Sequence, residues 1–246
     1  MVKNIYTVSE SEFPRATSLL VAKEIYNLQK DTQKDINVVF ATGNTMVNFL
    51  DELANQKNID WQRIHAFHLD EYSGLPIDHE CSFAYFLNKN LFSKVSIPLQ
   101  NIHYINGESP NISGYIATLR RLGGLDIVLL GIGLNGHLAF NESGSSFECS
   151  MREVCLDEKT ILANECDYPD IRHNPRAITM GIKEILEGRR IFFFATGKKK
   201  AEIVKCALEG QITEDVPASI LQRHSNVTFV LDEDAAVLLT IEKKVI

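Results

Sequence analysis

The chain has 246 residues, 45% of them hydrophobic and 23% charged, an ordinary globular make-up with enough length to bury a full core. Its formal net charge of −7 excludes the dominant basic face that nucleic-acid binding requires. A local cluster of donors could still hold one small anion.

Taken in chain order, the sequence repeats one theme: a β-branched or aromatic run, a small-residue turn, then a helical pattern. The spacing predicts a first helix over 10–29, a buried strand INVVFATG at 36–43 and a helix over 45–57. RIHAFHLD (63–70) and IHYING (102–107) read as strands, with a helix over 81–95 between them and another over 111–122. LDIVLLGIG (125–133), REVCLD (152–157), RIFFFATG (190–197) and NVTFVLD (226–232) complete the strands. Helices are predicted over 177–187 and 198–209, the last stopping at Gly210. Continuous apolar strands alternating with helices predict an α/β fold: a doubly wound, mostly parallel sheet with helices on both faces. No linker or charge block divides the chain, so residues 1–246 read as a single domain.

No apolar stretch reaches the ~20 residues of a membrane span, and the opening MVKNIYTVSESEFPRA lacks the apolar core of a secretory signal. Cysteines 81, 149, 155, 166 and 206 show no C-x-x-C pairing. They point to free, mostly packed thiols in a reducing cytoplasm, and away from a disulfide scaffold or zinc site.

In a parallel sheet, ligands collect beyond the carboxyl ends of the strands, and four turns lie there. FATGNTM (40–46) and FATGKKK (194–200) share a strand, an Ala-Thr-Gly turn and a helix start. Gly43 lets a ligand approach the backbone, free amides at a helix start attract anions, and Thr42, Asn44 and Thr45 add donors. Lys198, Lys199 and Lys200 supply charge. Neither turn is a Walker A loop. As plain strand-to-helix turns they would need no ligand.

The third turn, GIGLNGHLAFNES (131–143), carries G-x-G-x-x-G on Gly131, Gly133 and Gly136, with Asp157 where a ribose-binding acid could sit. A dinucleotide cradle would need a helix opening at Gly136. The following HLAFNESGSSFECS, with a glycine and four serines, is a poor helix interior. The side chains offer another use. His137 follows a strand end, imidazole gives and takes protons near neutrality, and Glu142 could fold back to set its tautomer, with Asn135 helping to orient it. The fourth turn, AFHLDEYSG (66–74), holds Asp70 and Glu71. Neighbouring strand residues face opposite ways, so at most one carboxylate enters a common cleft. Burial there would raise its pKa and make it a usable base. Alternatively, the pair caps the next turn.

Together these motifs resemble the glucosamine-6-phosphate deaminase/isomerase family, which includes galactosamine-6-phosphate isomerases. ATGNT resembles its early phosphate loop, HLDEYSGL its acid loop and GIGLNGHLAFNESGSSF its G-I-G-x-[DN]-G-H signature. TGKKKAEIV…LEG resembles its late lysine loop, and PASILQRH also looks like the family. The resemblance implies conversion of an amino-sugar 6-phosphate to a ketose 6-phosphate plus ammonia, with no metal or organic cofactor. It implies Asp70 as acid–base, His137 as ring opener, Glu142 and Asn135 as its supports, and Lys200 with the Thr42–Thr45 turn on the phosphate. The partner so implied is a small phosphosugar, and a homo-oligomer is compatible with the sequence without being specified by it.

Two departures stand out. Cys166 occupies the place of a phosphate-binding arginine, so Arg172 or Arg176, or Lys200 with the loop amides, must take over. Ser143 replaces the usual proline after Glu142. Both leave glucosamine and galactosamine 6-phosphate as rival substrates. The related 6-phosphogluconolactonases fit less well, since Tyr72 and Glu142 stand where those differ. A non-catalytic sugar-phosphate sensor would be free to lose Asp70, His137 or Glu142, and all three are present.

Overall fold

The computed structural model describes residues 4–156 and 175–246. In chain order these form β1 (Ile5–Val8), α1 (Phe13–Asp31), β2 (Ile36–Phe40), α2 (Asn44–Ala54), β3 (Ile64–His68), β4 (Asp70–Tyr72) and α3 (Phe83–Asn90). There follow β5 (Ile102–His103), α4 (Ile112–Arg121), β6 (Ile127–Leu130), β7 (Arg152–Cys155), β8 (Arg176–Thr179) and α5 (Ile182–Leu186). The chain ends with β9 (Arg190–Ala195), α6 (Ala201–Glu209), β10 (Val227–Asp232) and β11 (Lys244–Val245).

Eight strands make one parallel sheet in the order β11-β1-β10-β9-β6-β2-β3-β5. Its central strands are buried along their whole length, as INVVF of β2 and IVLL of β6 show. That is why they read as unbroken apolar runs. Phe13 of α1 and Phe49 of α2 both pack on Phe194 of β9, at ring-centroid distances of 6.5 and 5.1 Å. On β3, Phe67 meets Tyr115 of α4 edge-on at 5.5 Å. The expected doubly wound α/β fold is therefore present.

The strand order also locates a crevice. From β2 the chain moves outward through β3 to β5, then crosses back to lay β6 on the other side of β2, followed by β9 and β10. The reversal falls between β2 and β6. Such a switch point opens a cleft beyond the strand ends, and the loops after β2 and β6 carry Gly43 and His137.

Three expectations need correction. The helix predicted over 177–187 is strand β8 followed by the five-residue α5. Gly181 makes this crossing feasible, because a Cβ there would lie 2.1 Å from the Cys149 carbonyl oxygen. The strand predicted at 152–157 is β7, and it joins no parallel sheet: β4, β8 and β7 form a separate antiparallel sheet. Third, the cysteines are not all packed free thiols. Cys149, Cys155 and Cys206 are free, the last two exposed, but Cys81 is disulfide-bonded. Cys166 lies outside the described residues.

Candidate active site

The loop after β6 is built around the His137 ring. Gly133 donates its amide to the His137 carbonyl at 3.1 Å, and a Cβ at 133 would come within 2.3 Å of the imidazole. Gly136 adopts φ 87°, where a side chain would be strained and would strike Val216 at 2.8 Å. The glycines of G-x-G-x-x-G thus make room for a histidine and a tight turn. No helix opens at Gly136, which removes the dinucleotide reading, and Asp157 lies outside the described residues.

His137 Nδ1 lies 3.1 Å from Glu142 Oε2. Asn135 donates its Nδ2 to the same oxygen and accepts the His137 backbone N–H on its Oδ1 at 3.2 Å. The three residues form a closed circuit, completed by the His137 backbone N–H. With Glu142 accepting from Nδ1–H, the ring presents Nε2 as its proton-accepting atom, and no described group bonds Nε2. The imidazole and carboxylate are about one-fifth exposed, so the pair reaches solvent.

The acid loop separates its two carboxylates. Glu71 is fully buried and accepts from the amides of Tyr72, Phe83 and Ala84 and the Ser82 hydroxyl, at 2.8–3.1 Å. Burial pushes its carboxyl up, against the pull of those donors. It caps α3 and holds the loop. Asp70 is only 8% exposed and no described residue donates a hydrogen bond to its carboxyl. Burial, aided by the neighbouring Glu71, pushes its carboxyl up to about 8. Such perturbation without a side-chain donor makes Asp70 a candidate for proton transfer.

Strand β8 brings the two loops together. Asp70 pairs with Thr179 across the small sheet, and the Leu69 carbonyl accepts the Met180 N–H at 2.7 Å. On the other side, the Thr179 hydroxyl accepts the Phe140 N–H at 3.0 Å, and the Met180 carbonyl accepts from Asn141 Nδ2 at 2.8 Å. The acid loop and the imidazole loop therefore share one support.

Two further turns flank β6. Gly43 (φ 100°) caps α2 and Gly197 (φ 85°) caps the 3-10 turn Lys198–Lys200, neither helped by a side-chain cap. Thr45 and Thr196 join the turns through their hydroxyls at 3.0 Å. Lys200 reaches inward to the Ile132 carbonyl at 2.6 Å, and burial lowers its pKa. Asp232, at the end of β10, accepts the Gly197 N–H at 2.7 Å and pins the second turn. Lys198 and Lys199 are exposed. Arg176 is engaged with Glu153 at 2.6 Å, while Arg172 lies outside the described residues. A cavity of about 420 Å³ bordered by Tyr104, Asn106, Asn111, Tyr115 and Met151 includes none of these groups. Sequence reasoning passed over Thr179, Asn141, Met180 and Asp232. Asn141 sits inside the recognised signature, whereas the other three act through long-range pairing that no local pattern announces.

Fold and site define a doubly wound α/β protein with acid–base groups and two glycine turns gathered at its switch point. The model for "Glucosamine-6-phosphate isomerases/6-phosphogluconolactonase" matches residues 9–230, and the chain belongs to this family. It is 39% identical to a glucosamine-6-phosphate deaminase of Clostridium perfringens over 232 residues, 90% of this chain and 95% of that one. It is 37% identical to a glucosamine-6-phosphate deaminase of a Thermoanaerobacter species over 97% of this chain and 95% of that one. A solved structure of a monomeric glucosamine-6-phosphate deaminase superposes with a TM-score of 0.88 at 35% identity, covering 97% of this chain and all of that one. A 6-phosphogluconolactonase from Thermotoga maritima superposes at 0.77 with 23% identity, sharing the fold.

Proposed function

We propose that the chain is an amino-sugar 6-phosphate deaminase/isomerase that releases a ketose 6-phosphate and ammonia. The observation that carries this reading is the shared support of β8, which ties a buried, elevated-pKa carboxyl to an imidazole oriented by its own carboxylate. A single aldose needs both groups in turn. His137 moves a proton between the ring oxygen and the anomeric hydroxyl, opening the pyranose, while Glu142 and Asn135 keep its tautomer. The aldehyde so formed acidifies the C2–H. Asp70 takes that proton and returns it to C1, leaving an iminium at C2. Water adds to the iminium and ammonia departs, which makes the last step a hydrolysis. The substrate's own carbonyl is the electron sink. Each proton transfer is worth ~10²–10⁴-fold.

The phosphate rests on the Thr42, Gly43, Asn44 and Thr45 turn and on Lys200. Helix-start amides and a half-buried ammonium suit a dianion, and Arg176 already serves Glu153. Among the described residues no helix is long and apolar enough to cross a membrane. A cytoplasmic location follows from the phosphosugar class rather than from the cysteines, since Cys81 is disulfide-bonded. The solved deaminase on which the chain superposes is described as monomeric, and a monomer is the working unit in this reading.

Glucosamine 6-phosphate is the first candidate because the close relatives carry that name. Galactosamine 6-phosphate is the second, on account of Cys166 and Ser143. Ammonia release from each, measured on one preparation, tests the reading: turnover of one or both supports it, and the larger kcat/KM names the sugar. Hydrolysis of 6-phosphogluconolactone without ammonia release would make the chain a lactonase. Saturable phosphosugar binding without turnover would make it a sensor.

A further inference from the structure

The turn that joins His137 to Glu142 is not self-supporting. Ala139 sits at φ 51°, a left-handed conformation that side chains disfavour. Within the turn, Asn141 donates its amide and its Nδ2 to the Leu138 carbonyl at 3.0 and 2.9 Å. External support comes from Arg152 of β7, which donates to Asn141 Oδ1 at 2.8 Å, and from β8. Phe140 N–H, midway between the imidazole and its carboxylate, has the Thr179 hydroxyl as its acceptor. That hydroxyl lies 3.3 Å from the Met180 carbonyl, the same oxygen that Asn141 Nδ2 bonds. Thr179 is fully buried, and its backbone faces Asp70 in the small sheet. One residue thus carries the acid loop on its main chain and the imidazole turn on its side chain.

We propose that Thr179 is a positioning residue that sets Asp70 and the His137–Glu142 pair at working distance across the substrate, through the hydrogen bond its hydroxyl accepts from Phe140. The inference rests on the function proposed above. Thr179 touches no reacting atom and acts through the two loops. Losing the hydroxyl would leave the Phe140 amide buried without an acceptor, and the turn would relieve it by shifting. A displacement of about 1 Å between paired catalytic groups costs on the order of 100-fold in turnover.

The test compares Thr179→Ser, which keeps the hydroxyl, with Thr179→Ala and Thr179→Val, which remove it. Valine holds the buried volume should alanine prove too unstable to purify. Ammonia release is measured on folded protein, together with amide exchange in the 138–142 segment. Serine should stay near wild-type kcat. Alanine and valine should lose roughly 100-fold in kcat with KM changed by less than about threefold, and their 138–142 amides should exchange faster. Serine failing like alanine, or all three turning over like wild type, overturns the inference while the functional reading stands. Wild-type protein that releases no ammonia overturns the functional reading and this inference with it.

Discussion

Asp70 and Glu71 are neighbours with the same chemistry and opposite duties, and the difference is hydrogen bonding. Four donors surround the Glu71 carboxyl, whereas no described residue donates to that of Asp70. A carboxyl held near 8 is mostly protonated at neutral pH, so it becomes a base only as pH rises. The kcat/KM profile of the free protein should therefore climb through about pH 8. The same shift bears on stability. The folded pKa lies above the ordinary aspartate value of 3.8, so the folded state holds a proton that the unfolded chain has released. Asp70's contribution to stability thus falls as pH rises from about 4 to about 8. Asp70→Asn should abolish the C2 proton step, lowering kcat by ~10²–10⁴-fold, and should raise the melting temperature over wild type, most at pH 8. A melting temperature that falls on substitution at that pH would contradict the assigned burial cost.

At the scale of elements, glycines decide which loops can do chemistry. Gly133→Ala should press a methyl into the His137 ring and lower kcat by about 100-fold with little effect on phosphate affinity. Gly197→Ala should instead raise KM, weaken competition by inorganic phosphate and cost about 1–2 kcal/mol of stability, because its φ of 85° is left-handed. Kinetics on the two variants separate the roles; a shared phenotype would argue that the loops are not distinct. These glycines were visible in the chain, as were β2, β3, β6, β9 and β10, because each strand is a buried apolar run ending in a turn. The small sheet was not. Its strands β4, β7 and β8 pair across separations of about 100 residues in one case, and β8 runs into Ile182 and Ile185 at a spacing that imitates a helix. Long-range pairing overrides local propensity there. So His137, Glu142 and Asp70 were legible as candidates, but the strand that unites them was not.

On the scale of the whole molecule, the sheet reverses direction between β2 and β6, and every proposed group stands at or beside that reversal. The proposed phosphate turns follow β2 and β9, the imidazole turn follows β6, and the acid loop follows β3. In the proposed mechanism the parallel sheet supplies position, and the small antiparallel sheet supplies registration between acid and imidazole. One complex tests this arrangement most directly: a crystal structure with an open-chain amino-hexitol 6-phosphate bound. The account predicts the phosphate on the Gly43 turn and Lys200, with the Asp70 carboxyl ~3–3.5 Å from C2 and the His137 ring over the C1 end. A phosphate seated elsewhere, or C2 out of reach of Asp70, would contradict it.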